Sequence, residues 1–189
     1  MKTLFVNACV RPDSRTLRLA RYALEKTGGE LTEVNLEKEN IQPLNLKTME
    51  YRDDAVKAGR LSDDILKYAN QFAAADTVVI AAPYWDLSFP AMVKNYFEAV
   101  TVQGVTFYYN EQGIPQGMCN IKKVIYVMTA GGPTENMNFG FDYVKGLCNM
   151  LYGIEDVVCF KAEMLDVIGM DVENILSKAE EEMDRELGK

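Results

Sequence analysis

Residues 78–91 read Val-Val-Ile-Ala-Ala-Pro-Tyr-Trp-Asp-Leu-Ser-Phe-Pro-Ala, and this stretch says more about the fold than any other part of the chain. Its first five residues are wholly apolar, which is typical of a strand buried on both faces of a parallel sheet. Pro83 ends that strand, and a second proline precedes a helix predicted over Ala91–Val100. The connection contains Tyr84 and the single tryptophan, Trp85. Because open α/β sheets bind ligands at the carboxyl ends of their strands, we expect these aromatics to line a binding site, with packing over the core as the alternative.

Strand and helix patterns alternate on both sides of this stretch. Apolar runs predict strands at Thr3–Ala8, Glu30–Asn35, Val78–Ala82, Lys123–Thr129 and Glu155–Phe160. Helical spacing predicts helices at Arg15–Lys26, around Leu61, Ile65, Tyr68 and Phe72, and at Ala91–Val100, Phe139–Leu151 and Val172–Arg185. Five strands alternating with five helices predict an α/β fold with a doubly wound parallel sheet and helices on both faces. We expect residues 1–189 to form a single domain, since no linker or internal repeat interrupts the pattern.

Two segments are longer than ordinary connections of ~4–6 residues. Glu37–Arg60 is polar and charged, and the sequence leaves open whether it is a mobile lid or a surface excursion. Val102–Asn120 predicts a hairpin inserted before the fourth strand of the sheet. Within it, Phe107 and Tyr109 point to one face because side chains alternate along a strand. Such a hairpin builds a pocket wall or a subunit contact, or it is a plain surface hairpin.

Composition excludes several classes of function. The 189 residues carry a net charge of −8, which argues against nucleic acid as a partner because phosphate binding requires a basic surface. The chain contains no histidine, so neither a zinc site with His ligands nor a His-dependent catalytic triad can form, and we expect no metal site. No apolar run approaches the roughly 20 residues that span a bilayer, and no secretory signal is evident. The four cysteines form no CxxC pair, which favours reduced thiols in a cytoplasmic protein.

The loops after the first, third and fourth predicted strands share one edge of the sheet. Residues 9–16 are hydroxyl-rich and lead into a helix, which suits a phosphate group. The alternative is that Ser14 only caps that helix. Residues 129–133 contain two glycines that would allow close approach of the backbone to a flat ring, or form an ordinary turn. Together the three loops predict a ligand with a phosphate at one end and a planar heterocycle at the other. Because residues 9–16 lack the glycine fingerprint of dinucleotide folds, they are not expected to hold an adenine dinucleotide.

The chain is similar over nearly its whole length to the flavodoxin-like FMN-dependent NAD(P)H oxidoreductases, the group of NAD(P)H quinone reductases and NADH azoreductases. The resemblance rests on Ala-Cys-Val-Arg-Pro-Asp-Ser-Arg-Thr, Ala-Pro-Tyr-Trp-Asp-Leu-Ser-Phe-Pro-Ala, Gly-Val-Thr-Phe-Tyr-Tyr and Thr-Ala-Gly-Gly-Pro. It implies that the FMN phosphate is bound by Ser14, Arg15 and Thr16, with Arg11 as a further contact. It implies that the aromatic loop lines the isoalloxazine ring through Tyr84, Trp85, Asp86 and Leu87. It also implies that the glycine loop contacts the pyrimidine edge through Thr129, Ala130, Gly131 and Gly132.

The resemblance implies an enzyme in which bound FMN takes hydride from NADH or NADPH and passes two electrons to a quinone, an azo compound or a similar small acceptor. No catalytic side chain is expected, since the cofactor performs the transfer. The acceptor would stack against Trp85 and Tyr109. We expect ping-pong kinetics and a homodimer. Two alternatives remain. One is a flavodoxin-type electron carrier that serves a partner protein, and the net negative charge of the chain favours it. The other is a sensor or binding module that has lost the cofactor.

Overall fold

A computed structural model describes residues 1–188. Within that range the strands are β1 (Lys2–Asn7), β2 (Glu30–Asn35), β3 (Thr77–Ala81), β4 (Phe107–Tyr109), β5 (Pro115–Gly117), β6 (Lys123–Thr129) and β7 (Val157–Ala162). The helices are α1 (Arg15–Thr27), α2 (Leu36–Glu39), α3 (Leu46–Lys57), α4 (Lys67–Ala74), α5 (Ala91–Val100), α6 (Phe139–Leu147) and α7 (Val172–Leu187). None of the helices in the described residues is long and apolar enough to cross a membrane.

Five strands form one sheet in the order β2-β1-β3-β6-β7, and every neighbouring pair is parallel. The predicted flavodoxin-like, doubly wound topology is therefore confirmed. The central strand β3 is buried from end to end, and Val78, Val79 and Ile80 have no exposed surface. Full burial of such a side chain contributes roughly 1.5–3 kcal/mol, so the apolar run that identified this strand also anchors the sheet.

Helices cover both faces of the sheet, as predicted. One core contains Val6 and Val78 together with side chains of α4, α5 and α6. The other contains Phe5 and Val79 together with side chains of α1 and α7. Neighbouring residues of the same strand thus enter opposite cores, because successive side chains in a strand point to opposite faces.

Several predicted boundaries are wrong. The last strand, predicted over Glu155–Phe160, is shifted by two residues and forms β7. The helix predicted from Leu61 begins only at Lys67, after a 3₁₀ turn that Asp63 caps, and Leu61 remains 48% exposed. The helix predicted over Phe139–Leu151 ends as α6 at Leu147 and continues as a π turn, which Gly153 closes in the left-handed conformation.

The segment Glu37–Arg60 contains helix α3, which the sequence analysis missed. The side chain of Asn45 accepts from the Thr48 N–H, and the Asn45 N–H donates to the Thr48 hydroxyl, so the helix begins with a capping box. Ala55 of α3 is fully buried. The Asn-x-x-Thr spacing was a signal for this helix start. The segment is therefore a folded surface excursion in this structure.

The inserted hairpin lies before β6, as predicted, and consists of β4 and β5. The rings of Phe107 and Tyr109 lie on the same side of the hairpin with centroids 5.5 Å apart. The chain then leaves the hairpin at the amino edge of the sheet, where the Asn120 N–H donates to the Ala73 carbonyl at 2.8 Å and Lys122 bonds to Asp76, just before β3. The hairpin thus stands at the edge opposite to the carboxyl ends of the strands.

Gly117 of β5 allows the hairpin to pack closely against the rest of the domain. A Cβ atom at this position would lie 1.8 Å from the carbonyl oxygen of Tyr152. Because backbone atoms have little room to give way, the missing side chain is what allows β5 to approach the π turn after α6.

We expect Gly117→Ala to destabilise the protein by about 1–3 kcal/mol, the usual cost of overpacking. In a chain of this size each kcal/mol lowers the melting temperature by about 2–4 °C. The control is Gly146→Ala, an exposed position in α6 where a new Cβ meets no atom within 4 Å. Thermal unfolding followed by circular dichroism should show a lower midpoint for Gly117→Ala alone. Equal midpoints would mean that the hairpin contact is not tight.

Candidate cofactor cavity

The loops at the carboxyl edge of the sheet enclose a cavity of about 480 Å³. This volume lies within the range of roughly 300–1,000 Å³ of small-molecule and cofactor sites. Nine predicted contacts line it: Arg11, Ser14, Arg15, Thr16, Tyr84, Trp85, Thr129, Ala130 and Gly131. Three predicted contacts are not part of its lining: Asp86, Leu87 and Gly132. Four further residues line the cavity that were not predicted from the sequence: Val10, Asp13, Pro83 and Asp166.

The start of α1 forms one end of the cavity. Ser14 caps the helix, since its hydroxyl oxygen accepts from the Leu17 N–H at 3.2 Å. The capping role proposed as an alternative for Ser14 is therefore correct, and its hydroxyl hydrogen remains available as a donor to a ligand. The N–H groups of Arg15 and Thr16 precede the first intrahelical bonds, so they too are potential donors to an anion.

Thr16 connects this helix start to the end of β6. Its hydroxyl lies 2.6 Å from the hydroxyl of Thr129, and Thr16 itself is almost fully buried. One of the two hydroxyls donates to the other, which leaves a single hydroxyl hydrogen of the pair free for a ligand. The predicted phosphate contact at Thr16 and the predicted ring contact at Thr129 thus belong to one hydrogen-bonded pair.

Arg15 is held by the loop after β7, which sequence reasoning did not connect with the site. Its guanidinium donates to the Leu165 carbonyl and to the Asp166 carboxylate, each at 2.7 Å. These two bonds fix the direction of the side chain and leave three of its five N–H donors for other partners. Arg15 is therefore an oriented cation at the end of the cavity that α1 forms.

Gly131 makes room for that carboxylate. A Cβ atom on Gly131 would lie 2.3 Å from Oδ2 of Asp166. The Asp166 N–H also donates to the Gly131 carbonyl, so the two loops are joined by their backbones. We expected this glycine to permit close approach of a flat ring. In the structure the space is taken by Asp166.

A second carboxylate anchors the far end of the glycine loop. Glu163 accepts from both the N–H and the hydroxyl of Thr134, a residue with no exposed surface, and it also pairs with Lys161 at 3.0 Å. Burial acts to raise the pKa of Glu163, but the bonds from Thr134 and Lys161 outweigh it and leave the pKa below its ordinary value. The carboxylate is therefore charged at neutral pH and holds the loop in place.

The aromatic loop contains a tight turn at Asp86 and Leu87. Both residues adopt positive φ, at 50° and 68°, and Trp85 and Ser88 exchange two backbone hydrogen bonds across them. This is the geometry of a two-residue hairpin turn, which for residues other than glycine costs of order 1–3 kcal/mol per residue. The turn leaves Trp85 41% exposed beside the cavity.

The turn determines which backbone N–H groups near the cavity are free to donate to a ligand. The Tyr84 N–H donates to the Thr129 carbonyl and the Trp85 N–H donates to the Ser88 carbonyl, so neither amide is free to donate to a ligand. Within residues 1–188, the N–H groups of Asp86 and Gly131 have no hydrogen-bond partner. The N–H groups of Leu87 and Gly132 also lack a partner there, and of these four amides only that of Gly131 belongs to a residue that lines the cavity.

Tyr109 does not line this cavity. It belongs to the hairpin at the opposite edge of the sheet, where its side chain is 48% exposed. The predicted contact at Tyr109 rests on the tendency of aromatic strands to build pocket walls. Within one copy of the chain, Trp85 is the only predicted acceptor contact that borders the cavity in the described residues.

The cavity suits a ligand with a phosphate and a planar heterocycle. One end contains two guanidinium groups, the Ser14 hydroxyl and the first N–H groups of α1. The other end contains aromatic side chains and the glycine loop, with one unpaired amide donor at Gly131 and another at Asp86, which follows the lining residue Trp85. FMN has a phosphate at one end and a flat, polar-edged ring at the other, so the residues present fit this group.

Comparison with known proteins shows the relatives of this chain. The family model described as a flavodoxin-like fold matches residues 1–187. The chain is 38% identical to FMN-dependent NADH:quinone oxidoreductase 2 of Clostridium acetobutylicum, across 93% of this chain and 92% of that protein. It is 36% identical to FMN-dependent NADH:quinone oxidoreductase of Coprothermobacter proteolyticus, across 97% and 96%. The crystal structure of an azoreductase from Bacillus anthracis superposes with a TM-score of 0.85 at 24% identity, covering 99% of this chain and 98% of that one.

We expect Gly131→Ala to weaken FMN binding about tenfold, because the new methyl group displaces Asp166 and releases Arg15, a repacking cost of the order of 1–3 kcal/mol. The control is Gly132→Ala, where a Cβ meets no atom within 4 Å and the backbone donors are retained. Quenching of FMN fluorescence by the cofactor-free protein measures both dissociation constants. Equal affinities for the two variants would show that Asp166 has no part in the site.

The charge on Glu163 predicts a pH-dependent stability difference. A carboxylate whose pKa is lowered by folding stabilises the protein above its unfolded pKa of about 4.5, and this contribution disappears as the pH falls through the folded pKa. Glu163→Gln should therefore lose about 1 kcal/mol at pH 7, and the difference from wild type should shrink below about pH 4. Urea unfolding of both proteins between pH 3.5 and 7 tests this. A difference that is constant across that range would mean that the charge contributes nothing.

Proposed function

This chain belongs to the flavodoxin-like fold family, and we propose that it is an FMN-dependent oxidoreductase that passes two electrons from NADH to a quinone or azo acceptor. Relatives that it matches along more than nine-tenths of its length are named FMN-dependent NADH:quinone oxidoreductases. The observation that carries the proposal is the cavity itself, in which a cationic helix start faces an aromatic and glycine-rich end.

When bound, FMN supplies the hydride and electron transfer, and the residues of this chain bind and orient it. Arg15 and Arg11 neutralise the phosphate charge, and the Ser14 hydroxyl with the first amides of α1 donates hydrogen bonds to it. At the other end, the N–H groups of Asp86 and Gly131 donate to the polar edge of the ring. These donors favour negative charge there without any side chain having to gain or lose a proton.

A single open face beside Trp85 receives the two substrates. The 41% exposure of Trp85 leaves its ring accessible, and a planar acceptor such as a quinone can stack there. Because nicotinamide and acceptor require the same face, they bind in turn and the kinetics are ping-pong. No side chain of this histidine-free chain has an unperturbed pKa near neutrality, so protons come from water and the rate depends weakly on pH between about 6 and 8.

The four cysteines are free thiols, and they take no part in the reaction. Burial raises the pKa of Cys9 to about 11 and that of Cys119 to about 12. Thiols with such pKa values stay protonated and are poor nucleophiles at neutral pH. Free thiols are typical of a reducing compartment, which supports the cytoplasmic location that we propose.

Two measurements test the proposed function. Cofactor released by heating the purified protein should co-migrate with FMN in chromatography. With NADH varied at several concentrations of a small quinone, double-reciprocal plots should give parallel lines. Intersecting lines would mean that both substrates bind together. NADH consumption that requires an added partner protein would instead identify an electron carrier.

We further propose a homodimer whose interface covers the rim of the cavity. Four exposed apolar side chains lie close together there: Trp85, Leu87, Met137 and Phe139. The Phe139 N–H donates to the Leu87 carbonyl, and the Tyr84 hydroxyl donates to the Met137 carbonyl, so the four belong to one continuous rim. An apolar rim of this kind on an otherwise acidic protein favours a second copy as its partner.

Phe139→Glu should convert the dimer to a monomer, because a charge at the centre of an apolar interface is left unpaired. The control is Met150→Glu, which places the same charge at a position that is 69% exposed beyond the end of α6. Light scattering at micromolar concentration measures the mass. A wild-type mass near the 21.3 kDa of one chain would refute the dimer.

A further inference from the structure

A second groove adjoins the cofactor cavity at the carboxyl ends of β1 and β2. Its volume is about 380 Å³, and Val10 and Arg11 belong to the walls of both the cavity and the groove. The groove also contains Arg21 of α1 and Lys38 of α2. The function proposed above assigns no role to it, although a ligand could pass from one space into the other across Arg11.

None of the three cations of this groove forms an ion pair within 4 Å among residues 1–188, although Glu33 and Glu37 also line it. Of the seven arginines in the sequence, four form ion pairs in the described residues: Arg15, Arg18, Arg52 and Arg60. Two of the other three, Arg11 and Arg21, line the groove, and Lys38 within it is also without a carboxylate inside 4 Å among residues 1–188. Three cations against two carboxylates leave the groove positive in a chain whose net charge is −8, which favours an anionic ligand.

Carboxylates stand beside these cations at the end of β2. Glu33 accepts from the Asn7 side chain at 2.9 Å, which fixes its position, and Glu37 follows in the first turn of α2. In dinucleotide-binding folds of the Rossmann type, an acidic side chain that follows the first helix accepts a hydrogen bond from the adenosine ribose. The groove thus offers cations for phosphate and acceptors for a sugar.

We propose that this groove binds the adenosine diphosphate half of the nicotinamide dinucleotide donor. The proposal rests on the function proposed above and gives the donor a second point of attachment. Arg21 and Lys38 bind the pyrophosphate, Arg11 lies between it and the phosphate of the cofactor, and Glu33 and Glu37 accept from the ribose hydroxyls. The carboxyl ends of β2 and β3 are two strand spacings apart, about 10 Å, a distance that a dinucleotide bridges with its nicotinamide above the cavity.

This arrangement requires no glycine fingerprint after β1. That fingerprint lets a pyrophosphate approach the backbone at a helix start. Here the start of α1 binds the phosphate of the cofactor. The pyrophosphate of the nicotinamide dinucleotide is bound by guanidinium groups of side chains instead. Two phosphate-bearing ligands can therefore be bound on either side of the loop that contains Arg11.

The test compares Arg21→Ala with Arg18→Ala in the FMN-loaded protein. Arg18 lies three residues from Arg21 on α1, pairs with Glu173 and Glu180, and lines neither space, so it provides the same loss of charge as a control. Stopped-flow reduction gives the dissociation constant of NADH and of reduced nicotinamide mononucleotide, which lacks the adenosine half. We expect Arg21→Ala to raise the NADH constant about three- to tenfold and to leave the mononucleotide constant unchanged. Arg18→Ala should alter neither.

Calorimetric titration with adenosine diphosphate provides a readout that is independent of turnover. Wild-type and Arg18→Ala holoenzyme should bind it with equal affinity, and Arg21→Ala should bind it more weakly by the same factor as for NADH. Unchanged affinities in Arg21→Ala, or equal losses for both nicotinamide donors, would overturn the proposal. If neither donor reduces the wild-type protein, the proposed function fails, and the titration still decides whether the groove binds adenosine diphosphate. Melting temperatures of both variants establish that they are folded.

Discussion

The parallel pairing of β1, β3 and β6 is the constraint on which the cavity depends. Asn7, Ala81 and Val127 lie side by side in the sheet, so the three strands end at nearly the same level. Each strand is buried on both faces, and a shift of one residue would exchange the side chains of the two cores. The register is therefore firmly specified, and the loops that follow must meet at one edge.

At that edge, the ion pair of Arg15 and Asp166 orients the guanidinium group and adds little to the stability of the fold. Both side chains are partly exposed, at 35% and 67%, and pairs of this kind are worth about 0–1 kcal/mol. Their effect is to hold a guanidinium in one orientation before a ligand arrives, which lowers the entropy that binding must overcome. Gly131 is required for this arrangement because any side chain there would occupy the place of the carboxylate.

The parts of the structure that follow from local pattern were predictable from the sequence. The buried run at Val78–Ala82 and the hydroxyl-rich turn before α1 are signals within a few residues, and both led to the correct edge of the sheet. Asp166 was missed because its bond to Arg15 joins residues 151 positions apart, and nothing in its neighbourhood marks it. Tyr109 lies away from the cavity of its own chain, because alternation along a strand gives the relative orientation of neighbours and does not say at which edge of the sheet a hairpin stands.

The turn at Asp86 and Leu87 combines a strained backbone with an N–H group that has no hydrogen-bond partner. Positive φ at two residues with side chains is unfavourable, and it persists because Trp85 and Ser88 are bonded across the turn and the Leu87 carbonyl accepts from Phe139. The same geometry turns the Asp86 amide away from every backbone acceptor in the described chain. The turn therefore keeps a hydrogen-bond donor uncommitted next to Trp85.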